Sequence, residues 1–320
     1  MLTTVQALVK LSRAQFCVEP ILRTIVAASA YAHDHHTPLN LHSLLITSTL
    51  IALFLIALNY YNDYDDYEGD LANTKRADSP STGGAGVLVA GTLPRWSALL
   101  ASVSCVTLAG VLILTDRALH PETTPFRNQT LVAGLLFMAL GSQYNAGLRL
   151  AYTPFNEFLT TSTLSIGTWL FGYNTQSPDA SFTLPHVATS IVILDAVLQF
   201  SRILTMMVVD TEADRFIGKL TFACTLGVKR TAQLYLNLQY LLAALAVYFA
   251  YTSTSPVERA LVGVLAAIAV PQNLGVAKEL AALGEGKEGA AKDAPFVVSK
   301  VMVETNLAML AVFGVSWWGA

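Results

Sequence analysis

The sequence predicts an all-α multispan membrane protein, on the basis of its composition, its long apolar stretches and the placement of its basic residues. Of 320 residues, 53% are hydrophobic and 13% are charged, against about 25% charged in a typical soluble domain. About 20 helical residues cross a hydrocarbon core, and nine apolar stretches lie near that length. They are residues 14–33, 41–62, 96–114, 130–147, 156–173, 186–209, 232–252, 258–275 and 301–319.

The first stretch is predicted to be a true span rather than a cleavable signal peptide. It carries Glu19 and Arg23 and lacks a small-residue cleavage site after a compact apolar region. The three cysteines, Cys17, Cys105 and Cys224, have no ligand spacing, so neither a disulfide framework nor a zinc site is indicated. A net charge of −3 gives no reason to expect a nucleic-acid partner.

Basic residues lie mostly on one side of the predicted spans, which is typical of the cytoplasmic side. The opposite side carries only Arg117, Arg127 and Arg259. We therefore expect one integral domain over residues 1–320, with a cytoplasmic N-terminus, the C-terminus on the opposite side and a flexible cytoplasmic loop at 283–295. The basic residues assigned to the cytoplasmic side are Lys10, Arg13, Lys75, Arg76, Arg95, Arg149, Arg215, Lys219, Lys229, Arg230, Lys278, Lys287, Lys292 and Lys300.

Carboxylates follow the second predicted span directly. Asp63, Asp66 and Asp70 are spaced i, i+3 and i+7, so on a helix the three side chains project from one face. A second pair, Asp210 and Asp214, is spaced i, i+4 after the sixth predicted span. Because both groups follow even-numbered spans, they lie on the same predicted side of the membrane and can meet. Unpaired carboxylates there repel one another and are costly to bury, so the pattern predicts a bound cation.

The residue types favour Mg²⁺ and a diphosphate. Mg²⁺ combines carboxylates with substrate phosphates, whereas zinc favours His or Cys ligands. Lys75 and Arg76 follow Asp70 by five and six positions, and Lys219 follows Asp214 by five, so each acidic group has basic neighbours for phosphate oxygens. A diphosphate beside a hydrocarbon cavity indicates an allylic prenyl diphosphate, whose leaving group Mg²⁺ would stabilise. The alternative is that both groups are solvated loop starts at the membrane surface.

These residues resemble the motifs of the UbiA-type membrane prenyltransferase superfamily, and the resemblance covers essentially the whole chain. The first family motif, N-D-x-x-D-x-x-x-D, corresponds to residues 62–70. The second, D-x-x-x-D followed by Gly-Lys and a hydroxyl residue, corresponds to residues 210–221. Asn59 and the glycine-rich residues 81–91 are similar to those of the branch that prenylates dihydroxynaphthoate. The resemblance implies nine transmembrane helices around a central cavity.

The resemblance also implies roles for individual residues. A prenyl diphosphate would be the donor and an aromatic, quinone-precursor-like molecule the acceptor, both bound within the lipid bilayer. The catalytic carboxylates, which would hold two Mg²⁺ ions, would be Asp63, Asp66, Asp70, Asp210 and Asp214. The substrate-binding residues would be Asn59, Asn62, Lys75, Arg76, Lys219, Tyr144, Arg149 and Tyr152.

Residues 143–152 depart from the family pattern in the part of the cavity associated with the acceptor. Ala146 and Gly147 stand where two prolines are expected, Ala151 where a basic residue is common, and Met206 where an Asn often precedes the second motif. We therefore predict an Mg²⁺-dependent prenyltransferase and keep one enzymatic alternative, a membrane terpene cyclase that cyclises the prenyl diphosphate and releases diphosphate. A transporter or lipid-binding protein that uses the acids for ion coupling is a third interpretation, and it explains the paired basic residues poorly.

Two further groups of polar residues fall outside these motifs. Asp195 and Arg202 are seven positions apart within a predicted span, so they can share a helix face as an ion pair or as cavity contacts. His33, His35 and His36 fall on the predicted outer side, and we interpret them as surface histidines rather than as a metal site.

Overall fold

The computed structural model describes residues 3–72, 84–122, 147–153, 156–177, 189–287 and 289–318. Within these ranges the regular structure is entirely helical, which confirms the predicted fold class. The fourth predicted span, residues 130–147, lies outside the described ranges except for its last residue, and the predicted count of nine spans stays a prediction.

The first half of the described chain contains five α-helices, and polar caps determine where two of them begin. Thr3 and Gln6 form a capping box at the start of the first helix, and Asn40 accepts a hydrogen bond from the Ser43 amide at the start of the third. The helices are α1 (Thr4–Ser12), α2 (Val18–Asp34), α3 (Leu41–Asp65), α4 (Tyr67–Ala72) and α5 (Arg95–Leu119), with a 3₁₀ turn at Ala14–Cys17 before α2.

The second half contains eight α-helices and a π-helical turn. Pro256 at the first turn of one long helix and the Ser255 cap before it mark a clear start. The helices are α6 (Asn156–Thr161), α7 (Thr168–Asn174), α8 (Thr189–Val209), α9 (Thr211–Phe216), α10 (Phe222–Leu226), α11 (Val228–Thr252), α12 (Pro256–Gly284) and α13 (Ala294–Trp318). The π-helical turn Ser162–Gly167 joins α6 to α7, and a 3₁₀ turn lies at Leu150–Tyr152.

Six described helices are long and apolar enough to cross a membrane. Their surfaces carry exposed apolar side chains such as Leu45, Leu114 and Val247, which suit contact with lipid tails rather than water. The chain is therefore an integral, multi-pass membrane protein. The six helices are α3, α5, α8, α11, α12 and the first 23 residues of α13.

The predicted span ends differ from the observed ones by several residues. The predicted stretch 258–275 extends to Gly284 in α12, and the predicted stretch 301–319 begins earlier, at Ala294 in α13. Both extensions contain charged side chains beyond the apolar window, and helical hydrogen bonding continues past the hydrophobic core. Hydropathy therefore gives the membrane-crossing part of a helix but not its full length.

A cluster of buried charges lies between α2 and α8. The Arg23 guanidinium pairs with Glu19 on the same helix, lies 2.8 Å from Asp195 on α8 and donates to the Leu164 carbonyl in the π-helical turn at 2.6 Å. Arg202 lies 3.8 Å from Glu19. Asp195 and Arg202 are thus linked through partners on α2, and the four charges compensate one another where an unpaired charge would be costly.

Candidate metal centre

Both acidic motifs lie where a long helix breaks into a short one. Asp66 (φ −77°, ψ 4°) separates α3 from α4, and Asp210 (φ −92°, ψ 4°) separates α8 from α9. Asp70 and Asp214 follow four residues later, and their amides donate to the carbonyls of Asp66 and Asp210 at 2.8 and 2.9 Å. The first motif is therefore not one continuous helix, but helical hydrogen bonding across the break preserves the predicted carboxylate spacing.

The two short helices pack against each other and bring the motifs together. Gly69 of α4 faces Ile217 after α9, and a Cβ at position 69 would lie 2.9 Å from the Ile217 side chain. A glycine here therefore permits the close approach of the two motifs. The predicted half-sites, whose break residues Asp66 and Asp210 are 144 positions apart in sequence, form one site.

Lys219 bridges the two motifs. Its Nζ lies 2.8 Å from Asp66 Oδ2 and 3.9 Å from Asp214 Oδ1, and the residue is 7% exposed. Gly218, at φ +78°, reverses the chain so that the Lys219 amide donates to the Asp214 carbonyl at 2.9 Å. This turn, which non-glycine residues adopt at a cost, directs the ammonium back into the site.

Asp63 is held by Arg13, which belongs to none of the predicted motifs, and by the glycine-rich stretch. Arg13 at the end of α1 forms an ion pair with one Asp63 oxygen, and the Ala85 amide donates to the other at 2.9 Å. Gly84 (φ +67°) lies against the same group, because a Cβ there would be 2.2 Å from Asp70 Oδ2 and 3.2 Å from Asp63 Oδ1. The glycine-rich stretch therefore closes one side of the site. Arg13 adds a basic side chain that was predicted only to lie on the cytoplasmic side.

Several carboxylate oxygens in the site are buried without a hydrogen-bond donor among the described residues, although no three of the described carboxylates have oxygens within 4.8 Å of one another. Asp66 Oδ1, Asp210 Oδ1 and Asp214 Oδ2 are buried and accept no hydrogen bond from the described residues. A buried carboxylate oxygen without a donor is costly, and a metal ion removes that cost. Because the donors are oxygens from two motifs, they fit a hard divalent cation such as Mg²⁺ better than zinc.

Burial and like charge also raise the pKa values of the second motif. Burial, aided by the Asp214 charge, raises the pKa of Asp210 to about 8, although Lys219 opposes the rise. Burial raises the pKa of Asp214 to about 6, again against the Lys219 charge. Without a cation, the site therefore favours protonated carboxyl groups that are ionised in water.

The segment that carries Lys219 is anchored by a hydrogen bond to α6. Glu157 is fully buried, and its Oε1 accepts a hydrogen bond from the Phe222 amide at 2.6 Å, at the start of α10. Thr221 caps the same helix by accepting from the Cys224 amide at 3.2 Å. Residues 218–221 are therefore anchored at their far end, which limits how far Lys219 can move.

The other predicted substrate residues have diverse surroundings. Asn59 donates to the Ser12 carbonyl at 2.9 Å and so ties α3 to the end of α1. Asn62 is half-buried in the last turn of α3. The Arg149 guanidinium lies 4.0 Å from the Tyr152 ring centroid, in a cation–π contact. Lys75, Arg76 and Tyr144 lie outside the described residues.

The fold and the site together define an integral membrane protein whose two acidic helix breaks meet in one carboxylate-rich centre. The UbiA prenyltransferase family model matches residues 21–280, and the chain belongs to this family. That match includes both acidic motifs, all of α3–α11 and most of α2 and α12. Comparison with curated proteins gives no match.

Solved structures with the same fold cover nearly the whole chain. A UbiA homolog from Aeropyrum pernix K1 is 17% identical, with a TM-score of 0.62 over 90% of this chain and 97% of that chain. A UbiA homolog from Archaeoglobus fulgidus bound to DMAPP and Mg²⁺ is 12% identical, with a TM-score of 0.61 over 95% and 99%. A digeranylgeranylglyceryl phosphate synthase in membranes is 15% identical, with a TM-score of 0.59 over 97% and 98%.

Proposed function

We propose that the protein is an Mg²⁺-dependent intramembrane prenyltransferase that ionises an allylic prenyl diphosphate and transfers the prenyl group to an aromatic acceptor. The observation that carries the proposal is the set of buried, unpartnered carboxylate oxygens contributed by both motifs around Lys219. Family membership supports prenyl transfer, and the homolog bound to DMAPP and Mg²⁺ supports this donor and this metal.

The carboxylates would hold the metal and the bases would hold the diphosphate. Asp66, Asp210 and Asp214 would provide the first metal ligands through their unpartnered oxygens, joined by Asp63 and Asp70 to bind two ions. When bound, Mg²⁺ supplies positive charge that stabilises the diphosphate leaving group. Lys219 and Arg13, now paired with Asp66 and Asp63, would donate to diphosphate oxygens when substrate arrives. Lys75 and Arg76 would also donate to the diphosphate oxygens.

The proposed topology follows from the charge bias. The carboxylate centre would face the cytoplasm with the N-terminus, and the C-terminus would lie on the opposite side. The predicted flexible cytoplasmic loop at 283–295 would be confined to residues 285–293 of a single domain, because α12 ends at Gly284 and α13 begins at Ala294. The prenyl chain would extend from the centre into the bundle, where water is excluded from the allylic cation.

A terpene cyclase is the second candidate, and one feature of the backbone favours it. Gly147 has φ +59°, a conformation that proline cannot adopt, and Arg149 has φ +48°. The backbone at position 147 therefore excludes one of the two prolines that the family resemblance leads us to expect at positions 146 and 147. Tyr152 is already covered by Arg149, which leaves less of this loop available to an acceptor.

Turnover of the purified protein with Mg²⁺ separates the candidates. The assay supplies geranyl, farnesyl or geranylgeranyl diphosphate under three conditions: alone, with an aromatic quinone precursor, or with a prenylated glyceryl phosphate. The last condition is included because one structure with the same fold is named for a product of that class. We expect diphosphate release and a prenylated product only with the aromatic. Release of a cyclic terpene without any acceptor would support the cyclase, and no turnover of any diphosphate would contradict both enzymes.

The carboxylate assignment is tested by two variants and a control. Asp66→Ala and Asp214→Ala each remove a buried oxygen donor, so we expect turnover to fall by about 100-fold or more while expression and the elution profile are retained. Asp293→Ala changes an exposed aspartate outside both acidic motifs and should leave turnover unchanged. Wild-type turnover in both site variants would refute the proposed metal ligands.

A further inference from the structure

A second group of possible metal ligands lies where α3 begins and α5 ends. His42 Nε2 lies 2.7 Å from Asp116 Oδ1, and His120 Nδ1 lies 3.3 Å from the same oxygen. One ligand atom from each of the three residues lies within 4.8 Å of the other two. Among the described residues, no other group of three His, Cys, Asp or Glu side chains meets this condition.

The helices hold these side chains in place independently of any ligand. α3 and α5 pack along their length, and Asp116 and His120 are one helical turn apart, with the His120 amide donating to the Asp116 carbonyl at 2.9 Å. The Asp116 side chain is 1% exposed, whereas those of His42 and His120 are 41% and 45% exposed. The buried Asp116 carboxylate is a fixed ligand, and the two partly exposed imidazoles leave a path by which a metal ion can enter.

The cluster is remote from the carboxylate centre. His42 and Asp63 are 21 residues apart on α3, which corresponds to about 30 Å along the helix axis. The two ends of this helix therefore reach opposite sides of the membrane, and the cluster is not part of the proposed diphosphate site.

The donor set differs from that of the carboxylate centre and selects a different class of cation. Two imidazoles and one carboxylate suit Zn²⁺ or a similar transition metal, whereas Mg²⁺ favours oxygen ligands alone. Ligand atoms of a tetrahedral zinc site lie about 3.3 Å apart, given metal–ligand distances of about 2.0–2.1 Å. The observed spacing approaches this value, and the two partly exposed imidazoles can move to reach it.

We propose that His42, Asp116 and His120 bind a Zn²⁺-type transition-metal cation that ties the ends of α3 and α5 together, with its fourth position open to water. The site is independent of the proposed transferase activity. Bound metal stabilises the folded chain by an amount that rises with the logarithm of the ratio of metal concentration to Kd. It does so by joining helices that are otherwise held here by a hydrogen-bonded histidine–aspartate group.

Co²⁺ titration tests the site, because tetrahedral Co²⁺ has visible absorption bands. Protein carrying an affinity tag without histidines is stripped with chelator and returned to a large excess of Mg²⁺, which occupies the carboxylate centre. We expect saturation at one Co²⁺ per chain, displacement by Zn²⁺ and a higher melting temperature with either metal. His42→Gln and Asp116→Asn should lose both the saturable absorption and the metal-dependent rise in melting temperature.

Two controls keep the outcome interpretable. His33→Gln changes a histidine at the same end of the bundle, and Asp66→Ala disables the carboxylate centre; both should bind Co²⁺ like the wild type. Absence of saturable Co²⁺ binding by the wild type, or unchanged binding by His42→Gln, overturns the proposal. Loss of the absorption in Asp66→Ala also overturns it, because the metal would then lie in the carboxylate centre. His42 begins α3 and is partly exposed, so its variant is expected to fold.

Discussion

Asp63 differs from the other aspartates of the carboxylate centre because both of its oxygens interact with described groups. One accepts from Arg13 and the other from the Ala85 amide, whereas Asp66 and Asp210 each have a buried oxygen that accepts no hydrogen bond from the described part of the chain. Asp63 therefore positions Arg13 and part of the glycine-rich stretch as well as contributing charge. The five aspartates of the two motifs therefore have unequal roles in the site.

Gly84 is the backbone position that most directly limits the shape of the site. In Gly84→Ala the new methyl would lie 2.2 Å from Asp70 Oδ2, and the left-handed backbone adds about 1–2 kcal/mol of strain. Asp70 must then move, and displacement of a reacting group by about 1 Å can lower a rate by about 100-fold. We expect diphosphate release to fall by about that factor.

Gly91→Ala is a matched control for this variant. Gly91 also has a left-handed backbone, at φ +65°, but no atom lies within 4 Å of the position of a Cβ. Both variants should show a similar fall in melting temperature, while only Gly84→Ala loses turnover. Equal turnover in the two variants would show that the contact with Asp70 does not matter to the reaction.

At the scale of the residue, local patterns were predicted and distant contacts were not. The spacing of the aspartates and of Lys219 was visible because each motif lies within about one or two helical turns. The pairing of Arg13 with Asp63 joins residues 50 positions apart, and nothing in the pattern around Arg13 distinguishes it from a basic residue at a membrane surface. Gly84 was seen as part of a glycine-rich stretch, but its approach to Asp70 depends on tertiary structure.

At the scale of the element, the two acidic motifs share one design. Each consists of a long helix, an aspartate with ψ near zero and a six-residue helix, as seen at α3–α4 and α8–α9. The long helices were predicted from hydropathy, since about 20 apolar residues leave few alternatives. The short helices were not predicted as separate elements, because six residues are too few to show a usable hydrophobic periodicity. In both motifs a second aspartate follows the aspartate at the break by four residues.

Close packing of α2 against α7 provides a test of how these elements are held. A Cβ added at Gly172 would lie 2.9 Å from the Thr24 carbonyl oxygen and 3.1 Å from the Ala27 Cβ, and both contacts are rigid. Gly172→Ala must separate the two helices, and overpacking of this kind costs about 1–3 kcal/mol. We expect a lower melting temperature in detergent.

The corresponding control for Gly172→Ala is Gly110→Ala in the middle of α5. No atom lies within 4 Å of a Cβ at Gly110, and alanine is favoured over glycine in a helix by about 1 kcal/mol. Its melting temperature should therefore equal or exceed that of the wild type. If Gly172→Ala melts at the same temperature as Gly110→Ala, α2 and α7 are less tightly packed than the structure indicates.

At the scale of the whole molecule, the two buried charged regions differ in their balance. Glu19, Arg23, Asp195 and Arg202 compensate one another inside the bundle. The carboxylate centre instead gathers five aspartates around Arg13 and Lys219 among the described residues, and its excess of negative charge requires a cation. Composition predicted the membrane environment of both regions, but which charges are compensated depends on contacts between helices that hydropathy does not specify.

This imbalance predicts that the metal-free protein loses stability as the pH rises. An unfolded aspartate has a pKa of about 3.9, whereas the folded-state pKa is about 8 for Asp210 and about 6 for Asp214. Between these values the folded state binds more protons, so stability is greatest at the acid end and is lost as the pH rises through the folded pKa values. Melting temperatures measured in chelator should therefore fall from about pH 5 to about pH 8.

Asp210→Asn isolates this effect from other titrations. Its amide cannot ionise, so in chelator its melting temperature should fall less with pH than that of the wild type. Mg²⁺ should raise the wild-type melting temperature most at the alkaline end, since it binds the ionised carboxylates of the folded state, and should do little for Asp210→Asn. Parallel pH profiles for the two proteins in chelator would mean that Asp210 titrates as an ordinary carboxylate, and the centre would then tolerate its charges without a cation.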